Sequence, residues 1–267
     1  MDAAHKPVIL TYHSISDGHS PLEISPALFV EQMEWLKANA RVVPLADLCG
    51  MLFAGDSFPP RTVILTFDDG FRNFYSAAAP VLARFGFPAT VFLPTSFLGR
   101  TNAWPGQPSW VAPQPLMDWA QIRELAEQGI AFGSHSVTHP DLTSLANAEL
   151  KQELEKSKQE IESQTSRHAD FFCFPYGRWN LEVKDAARYF YDGACSTGAG
   201  VVELDADPFA LPRVDAHYVR SPAWFRRLFT RSFEAYITAR RMIRLLRGKP
   251  EGTYARIQKP GAMRGIP

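Results

Sequence analysis

Short runs of apolar, β-branched and aromatic residues alternate along the chain with longer stretches in which apolar residues recur every three or four positions. The short runs predict seven β-strands and the longer stretches predict amphipathic helices. The predicted strands cover residues 8–12, 62–67, 89–93, 130–134, 170–174, 193–196 and 210–214. The predicted helices cover residues 26–39, 45–53, 73–85, 118–128, 147–165 and 180–190. This alternation indicates parallel βα units, so the predicted fold class is α/β, a barrel or distorted barrel in a single domain.

A long segment without either periodicity interrupts this alternation at residues 95–115. It is rich in proline and tryptophan and includes Trp104 and Trp110. Loops of this length usually form functional lids or rims, and a decorative insertion is the alternative.

Charge is balanced over the whole chain but not along it. The 28 basic and 28 acidic side chains cancel, which argues against nucleic acid as a partner. Residues 224–249 nevertheless hold eight basic side chains and one acidic side chain, so that segment carries a net charge of +7 and the remainder −7.

The basic segment is predicted to form one amphipathic helix over residues 221–248. It follows a barrel domain of residues 1–220 and precedes a flexible tail of residues 249–267. Ser221 is a candidate N-cap and Gly248 a candidate stop. Such a helix either contacts anionic lipid at the cytoplasmic face of a membrane or packs on the barrel or on a second subunit. Its apolar face comprises Phe225, Leu228, Phe229, Phe233, Tyr236, Ala239, Ile243 and Leu246, and Arg226, Arg227, Arg231, Arg241 and Arg244 lie beside or opposite it.

Cysteine usage and hydropathy predict the compartment. Three scattered cysteines argue against a disulfide framework and against a CxxC metal site. No apolar run reaches the roughly 18 residues of a membrane span. The apolar stretch at residues 7–10 is too short for a signal peptide. We therefore expect a cytoplasmic protein, and the oligomeric state stays open.

Two adjacent carboxylates and a glycine, Asp68-Asp69-Gly70, follow the second predicted strand. In a parallel barrel, catalytic groups gather at the carboxyl ends of the strands. Two like charges at one mouth favour a bound cation or a raised pKa. The alternative is a structural turn with an aspartate as helix N-cap.

Two histidines four residues apart, His135 and His139, follow the fourth predicted strand. Imidazoles at this spacing can bind one metal ion if the segment forms a single turn. Two histidines and one carboxylate leave coordination positions open for water and substrate, as in hydrolytic metal sites. A buried structural histidine is the alternative for either residue alone.

A third motif, Phe174-Pro175-Tyr176-Gly177, ends the fifth predicted strand and taken alone is typical of a β-turn. Together and in this order, the three motifs resemble the polysaccharide deacetylases of carbohydrate esterase family four. The Tyr12-His13 pair and the block of residues 119–122 are also similar to that family. The resemblance covers about residues 7–219 and implies a distorted (β/α)₇ barrel.

The resemblance implies a metal-dependent deacetylase acting on an N-acetylated sugar, with Asp68 as general base. It implies that Asp69, His135 and His139 hold zinc or a similar divalent ion. It also implies that the backbone N–H of Tyr176 helps to bind the oxyanion. His13, Pro175 and Trp110 are candidate substrate-binding residues.

The sequence departs from the family pattern at the residues that assist the base and supply the acid. Cys173 stands where many members have an arginine, and residues 195–198 replace an aspartate-containing block. Arg213, near the end of the last strand, is a candidate replacement for that arginine. His217 and His13 are both candidates for the general acid.

Three functions fit these observations. The first is deacetylation of a polysaccharide, an oligosaccharide or a lipid-linked or nucleotide-linked precursor. The second is hydrolysis of another amide on the same scaffold, by a deformylase or a cyclic-amide hydrolase. The third is glycan binding without catalysis, against which the retained Asp68 argues, because binding alone does not require a base.

Overall fold

Seven parallel strands close into a barrel in the computed structural model, which describes residues 3–18, 20–108 and 111–246. The strands are β1 Val8–Tyr12, β2 Ser14–Ile15, β3 Glu23–Ile24, β4 Arg41–Val42, β5 Thr62–Phe67, β6 Thr90–Leu93, β7 Ala131–Ser134, β8 Phe171–Cys173, β9 Gly193–Ala199 and β10 Leu211–Asp215. The barrel order is β1, β10, β9, β8, β7, β6 and β5, and β5 pairs back with β1. Three short strands lie outside the barrel: β4 extends β5, and β2 pairs with β3.

Helices follow the strands and cover the outside of the barrel. They are α1 Pro26–Asn39, α2 Leu45–Ala54, α3 Ala79–Phe85, α4 Trp119–Glu127, α5 Asn147–Thr165, α6 Leu181–Phe190, α7 Pro222–Phe225 and α8 Arg231–Leu246. The predicted helix over residues 73–85 begins instead with a π-helical turn, Phe74–Ala78, and becomes α-helical at Ala79. The predicted fold is confirmed: a single domain with a (β/α)₇ barrel.

The barrel has two apolar cores, one between the strands and the helices and one inside the barrel. Alternate residues of a strand contribute to each, because successive side chains point to opposite faces. In β1, Val8 and Leu10 pack outward against the helices, whereas Ile9 packs inside the barrel. Cys49 and its neighbours on α2 join the inner cluster and cover the amino-terminal end of the barrel. The carboxyl ends of the strands are left to line a cavity.

The predicted C-terminal helix is broken, so its prediction as one continuous element is wrong. Residues 226–230 separate α7 from α8, and Thr230 Oγ1 accepts a hydrogen bond from the N–H of Phe233, which starts a new helix. Ser221 makes no side-chain capping bond. Gly248 and the predicted tail of residues 249–267 lie outside the described residues.

Much of the apolar face predicted for this segment packs on the barrel. Phe225, Leu228 and Phe233 belong to the outer core, and Trp35 of α1 packs against the ring of Phe225 at 5.5 Å. Leu246, in contrast, is 83% exposed. In the part of the chain that the structure describes, no helix is both long and apolar enough to cross a membrane.

Candidate metal centre

The two aspartates lie in the turn that leaves β5. The N–H of Asp68 donates to the carbonyl of Tyr12 on β1 at 2.9 Å, which continues the strand pairing by one residue. Asp69 and Gly70 then adopt left-handed conformations, with φ of 69° and 65°. Neither carboxylate caps a described helix. Both side chains are buried, so the structure favours a functional interpretation over the structural turn.

The histidine pair lies in the turn that leaves β7. Nδ1 of His135 is 2.6 Å from the carbonyl oxygen of Cys173, so this nitrogen carries the proton and Nε2 is free to bind a metal ion. Two non-glycine residues of the turn, Ser136 and His139, have positive φ of 66° and 55°. This backbone bends the chain so that both imidazoles face Asp69.

The three predicted metal ligands converge at their donor atoms. Nε2 of His135 and Nε2 of His139 are 3.2 Å apart, and each is 3.5 Å from Oδ1 of Asp69. Zinc–ligand bonds of about 2.0–2.1 Å in a tetrahedron place neighbouring ligand atoms ~3.3 Å apart. The spacing therefore fits one divalent ion without rearrangement.

The charge state of the donors also suits a metal ion. Burial and the neighbouring His135 lower the pKa of His139 well below its usual value, so this ring is neutral, as a ligand must be. Burial raises the pKa of Asp69 and outweighs the nearby His13 and His135, which lower it. A bound cation removes that penalty.

A second set of potential ligands, Asp68, His135 and Cys173, is less suited to a metal ion. Burial raises the pKa of the Cys173 thiol well above its usual value, whereas a metal ligand must be a thiolate. The Asp68 carboxylate is already occupied by a guanidinium. Of the two sets, Asp69, His135 and His139 are therefore the better suited to hold a metal ion.

Arg213 on β10 forms a two-pronged ion pair with Asp68. Its Nη1 and Nη2 donate to Oδ1 and Oδ2 at 2.8 and 2.7 Å, and both side chains are buried. Burial alone opposes ionisation of Asp68, but the guanidinium outweighs it and lowers the pKa of the carboxyl. Nη2 of Arg213 also lies 3.0 Å from the Cys173 sulfur, so the guanidinium contacts both Asp68 and Cys173.

A cavity of about 410 Å³ opens above these residues. His13 lines it, with Nε2 at 3.8 Å from Oδ2 of Asp68. The loop over residues 95–115 forms part of the rim, because Trp104 and Val111 also line the cavity. This loop is therefore part of the site rather than a decorative insertion.

Two predicted site residues lie away from the cavity wall. The Asp215 carboxylate accepts a hydrogen bond from the N–H of His217 at 2.8 Å and starts a 3₁₀ turn. Asp215 and Tyr218 line the cavity whereas His217 does not, and the role of His217 as general acid stays a prediction. Pro175 is buried in the turn after β8 and shapes it without lining the cavity. Trp110 lies outside the described residues.

The turn that contains Tyr176 borders the metal ligands. Tyr176 has a positive φ of 58°, and its ring lies 4.7 Å from the ring of His139. Gly177 follows with φ of 66°, and any side chain at this position would collide with Thr197 of β9. The motif glycine is therefore required for the close approach of this turn to β9.

Trp104 and Glu153 are among the residues of the site that were not predicted. Trp104 is buried, and its ring centroid lies 4.2 Å from that of His139. Glu153 on α5 accepts hydrogen bonds from the N–H groups of Val137 and Thr138 at 2.8 and 2.9 Å and from the Thr138 hydroxyl at 2.7 Å. Glu153 thus braces the loop between the two histidines. The capping preferences of α5 give no signal for the contacts of Glu153. For Trp104, the only signal in the sequence is that the loop is rich in tryptophan.

Comparison with known proteins identifies the family. The family model described as polysaccharide deacetylase matches residues 55–191, just over half of the chain. The chain is 29% identical over 208 residues to YxkH of Bacillus subtilis (strain 168), covering 77% of this chain and 70% of that protein. It is 28% identical over 200 residues to the poly-beta-1,6-N-acetyl-D-glucosamine N-deacetylase of Staphylococcus epidermidis, covering 70% of this chain and 65% of that protein.

A solved structure supports the same assignment. The Streptococcus pyogenes deacetylase PplD, in complex with acetate, superposes with a TM-score of 0.69 at 25% identity, covering 79% of this chain and 92% of that one. Both motifs that carry the candidate ligands lie inside the matched residues 55–191. The chain therefore belongs to the polysaccharide deacetylase family, hydrolases that act on N-acetyl amide bonds.

Proposed function

We propose that this protein is a zinc-dependent deacetylase that removes acetyl groups from N-acetylated hexosamine units of a glycan. The observation that carries the proposal is the convergence of Asp69, His135 and His139 within 3.2–3.5 Å of one another beside a second carboxylate, Asp68. A binding site for metal alone does not require that second carboxylate.

Zinc is the divalent ion that the donor set favours. Two imidazoles and one carboxylate suit it, and their spacing matches a tetrahedral face whose fourth position stays open. An ion held there would polarise the acetyl carbonyl and make a water nucleophilic near neutral pH.

Asp68 takes the proton of the attacking water in this proposal. Its lowered pKa keeps it ionised, and the two hydrogen bonds from Arg213 fix the direction of both carboxylate oxygens. Arg213 thereby positions the base, and it leaves lone pairs of the carboxylate available to the cavity.

His13 supplies the proton to the departing nitrogen. An amide nitrogen must be protonated to leave as an amine, and His13 lines the cavity at 3.8 Å from Asp68. We propose His13 in preference to His217, because His13 lines the cavity beside Asp68 and His217 does not line it.

The remaining walls fit an acetylated sugar. The backbone N–H of Tyr176 is our candidate for a donor to the oxygen that gains negative charge. Trp104 offers an apolar surface beside His139, the kind of surface on which the apolar face of a sugar ring packs.

Metal analysis and an acetate-release assay on N-acetylglucosamine oligomers test this proposal. We expect about one zinc ion per chain, acetate release in its presence, and loss of both in His139→Ala. His168→Ala is the matched control, since this histidine is 89% exposed. Metal retention without acetate release from any oligomer would instead favour a glycan-binding role.

A further inference from the structure

The end of helix α8 reaches the wall of the catalytic cavity. Arg244 lines this cavity together with His13 and the metal ligands. Its Nη1 donates to the carbonyl of Thr197 at 3.2 Å, and its Nη2 donates to the hydroxyl of the same residue at 2.9 Å. Thr197 in turn packs directly on the turn of Gly177, next to Tyr176. Arg244 therefore lies one layer of residues from the candidate oxyanion donor.

Arg244 differs in its pairing from the other guanidinium groups that line the cavity. Arg213 is bonded to Asp68, and Arg178 donates to Asp141 at 2.7 Å. Among the described residues, no carboxylate lies within 4 Å of the Arg244 guanidinium, and its Nε is buried without a hydrogen-bond partner. Its positive charge at the cavity wall is thus neutralised by no described side chain.

A guanidinium at a cavity wall that no described carboxylate neutralises is suited to one class of ligand, because each Nη keeps a second N–H besides the one that Thr197 accepts. Its planar donors match the two oxygens of a carboxylate or a phosphate, and such charge-assisted bonds are about twice as strong as neutral ones. Asp215 also lines the cavity, but it pairs in register with Thr11 of β1, whereas Thr197 lies on β9. An acidic group would be attracted by Arg244 and repelled by Asp215, so it would be favoured on the Arg244 side of the cavity.

We propose that Arg244 is a specificity-determining residue that binds a carboxylate or phosphate carried by the acetylated substrate. This inference rests on the proposed deacetylase function and narrows its substrate to an acidic N-acetylated sugar. A neutral homopolymer of N-acetylglucosamine would not use this contact.

Steady-state kinetics of the zinc-loaded protein test the proposal with three probes. Neutral N,N′-diacetylchitobiose is compared with N-acetylglucosamine 1-phosphate and with N-acetylmuramic acid, which separate phosphate from carboxylate. We expect Arg244→Gln to raise KM for at least one acidic probe about 10- to 100-fold, with kcat little changed. KM for the neutral probe should stay within about twofold. Arg244→Lys keeps the positive charge but loses the planar pair of donors. Its KM for the acidic probe should lie between those of the wild type and Arg244→Gln.

Arg231→Gln is the matched control, because it removes the same charge from the exposed first turn of α8. If Arg244→Gln lowered kcat/KM equally for the acidic and neutral probes, Arg244 would be a structural brace for Thr197. That result would overturn the proposal. So would a wild-type protein that prefers the neutral probe.

Failure of the proposed function gives a different result, namely no acetate release from any probe by the zinc-loaded wild type. In that case calorimetric titration with N-acetylglucosamine 1-phosphate and with N-acetylmuramic acid still tests the anion site. Binding of either probe that weakens in Arg244→Gln and not in Arg231→Gln supports it, and equal binding or no binding of both contradicts it.

Discussion

Replacing Arg213 by methionine is expected to destabilise the protein more than any surface substitution. Asp68 and Arg213 are each 3% exposed and share two hydrogen bonds of 2.7–2.8 Å. Methionine fills much of the same volume but leaves the Asp68 carboxylate buried without a counter-charge. Breaking one partner of a buried ion pair typically costs about 3–5 kcal/mol.

Urea denaturation followed by circular dichroism measures this loss, with a chelator present so that a metal ion does not replace the missing charge. Arg178→Gln is the control, since its pair with Asp141 is exposed and should cost at most about 1 kcal/mol. Asp68→Asn combined with Arg213→Met should recover part of the loss, because the uncompensated charge is gone. A loss below about 1 kcal/mol in Arg213→Met would refute this reasoning.

Further predictions concern the loop between the histidines, the cysteines, and the location of the protein. Glu153→Gln should weaken zinc affinity about 10-fold in a competition assay with a chromogenic chelator, because it loosens the loop between the histidines; unchanged affinity would contradict the bracing role. No cysteine should react with a thiol reagent at pH 8 in the native state, since all three are buried and burial raises the pKa of Cys195 to about 12; rapid labelling without denaturant would count against the packing. Membrane contact and a cytoplasmic location stay predictions: co-sedimentation should require anionic liposomes and weaken in Ile243→Glu, at an exposed position of α8, and recovery of the protein outside the cytoplasmic membrane would exclude the location.

The strand ends could be predicted from sequence because the site motifs are local. Asp68 and Asp69 follow a run of β-formers that is buried throughout, and His135 and His139 share one short turn. A parallel barrel places such turns at one mouth, so the metal ligands needed no knowledge of distant contacts.

The residues that assist the metal ligands and the base could not be chosen from local motifs. Choosing between His13 and His217 required knowing which of them lines the cavity, and the fold around β1 and β10 decides this. Glu153 and Arg244 act through contacts to Thr138 and Thr197 across different elements. Periodicity within one helix does not reveal such contacts.

In the C-terminal segment, apolar periodicity predicts which residues are buried but not where a helix ends. Its apolar spacing correctly marks residues that are buried, such as Phe225 and Phe233, but it does not show that Thr230 starts a new helix. The Thr230 hydroxyl decides that break, because it accepts a hydrogen bond from a backbone N–H within the segment.

The central claim is that Asp68 acts on the reaction while Asp69, His135 and His139 hold the metal ion. Metal content and acetate release of Asp68→Asn, measured on the same preparation, test it most directly. We expect about one zinc ion per chain, as in the wild type, and turnover reduced about 10²- to 10⁴-fold. Full activity in Asp68→Asn with its zinc retained would contradict the claim.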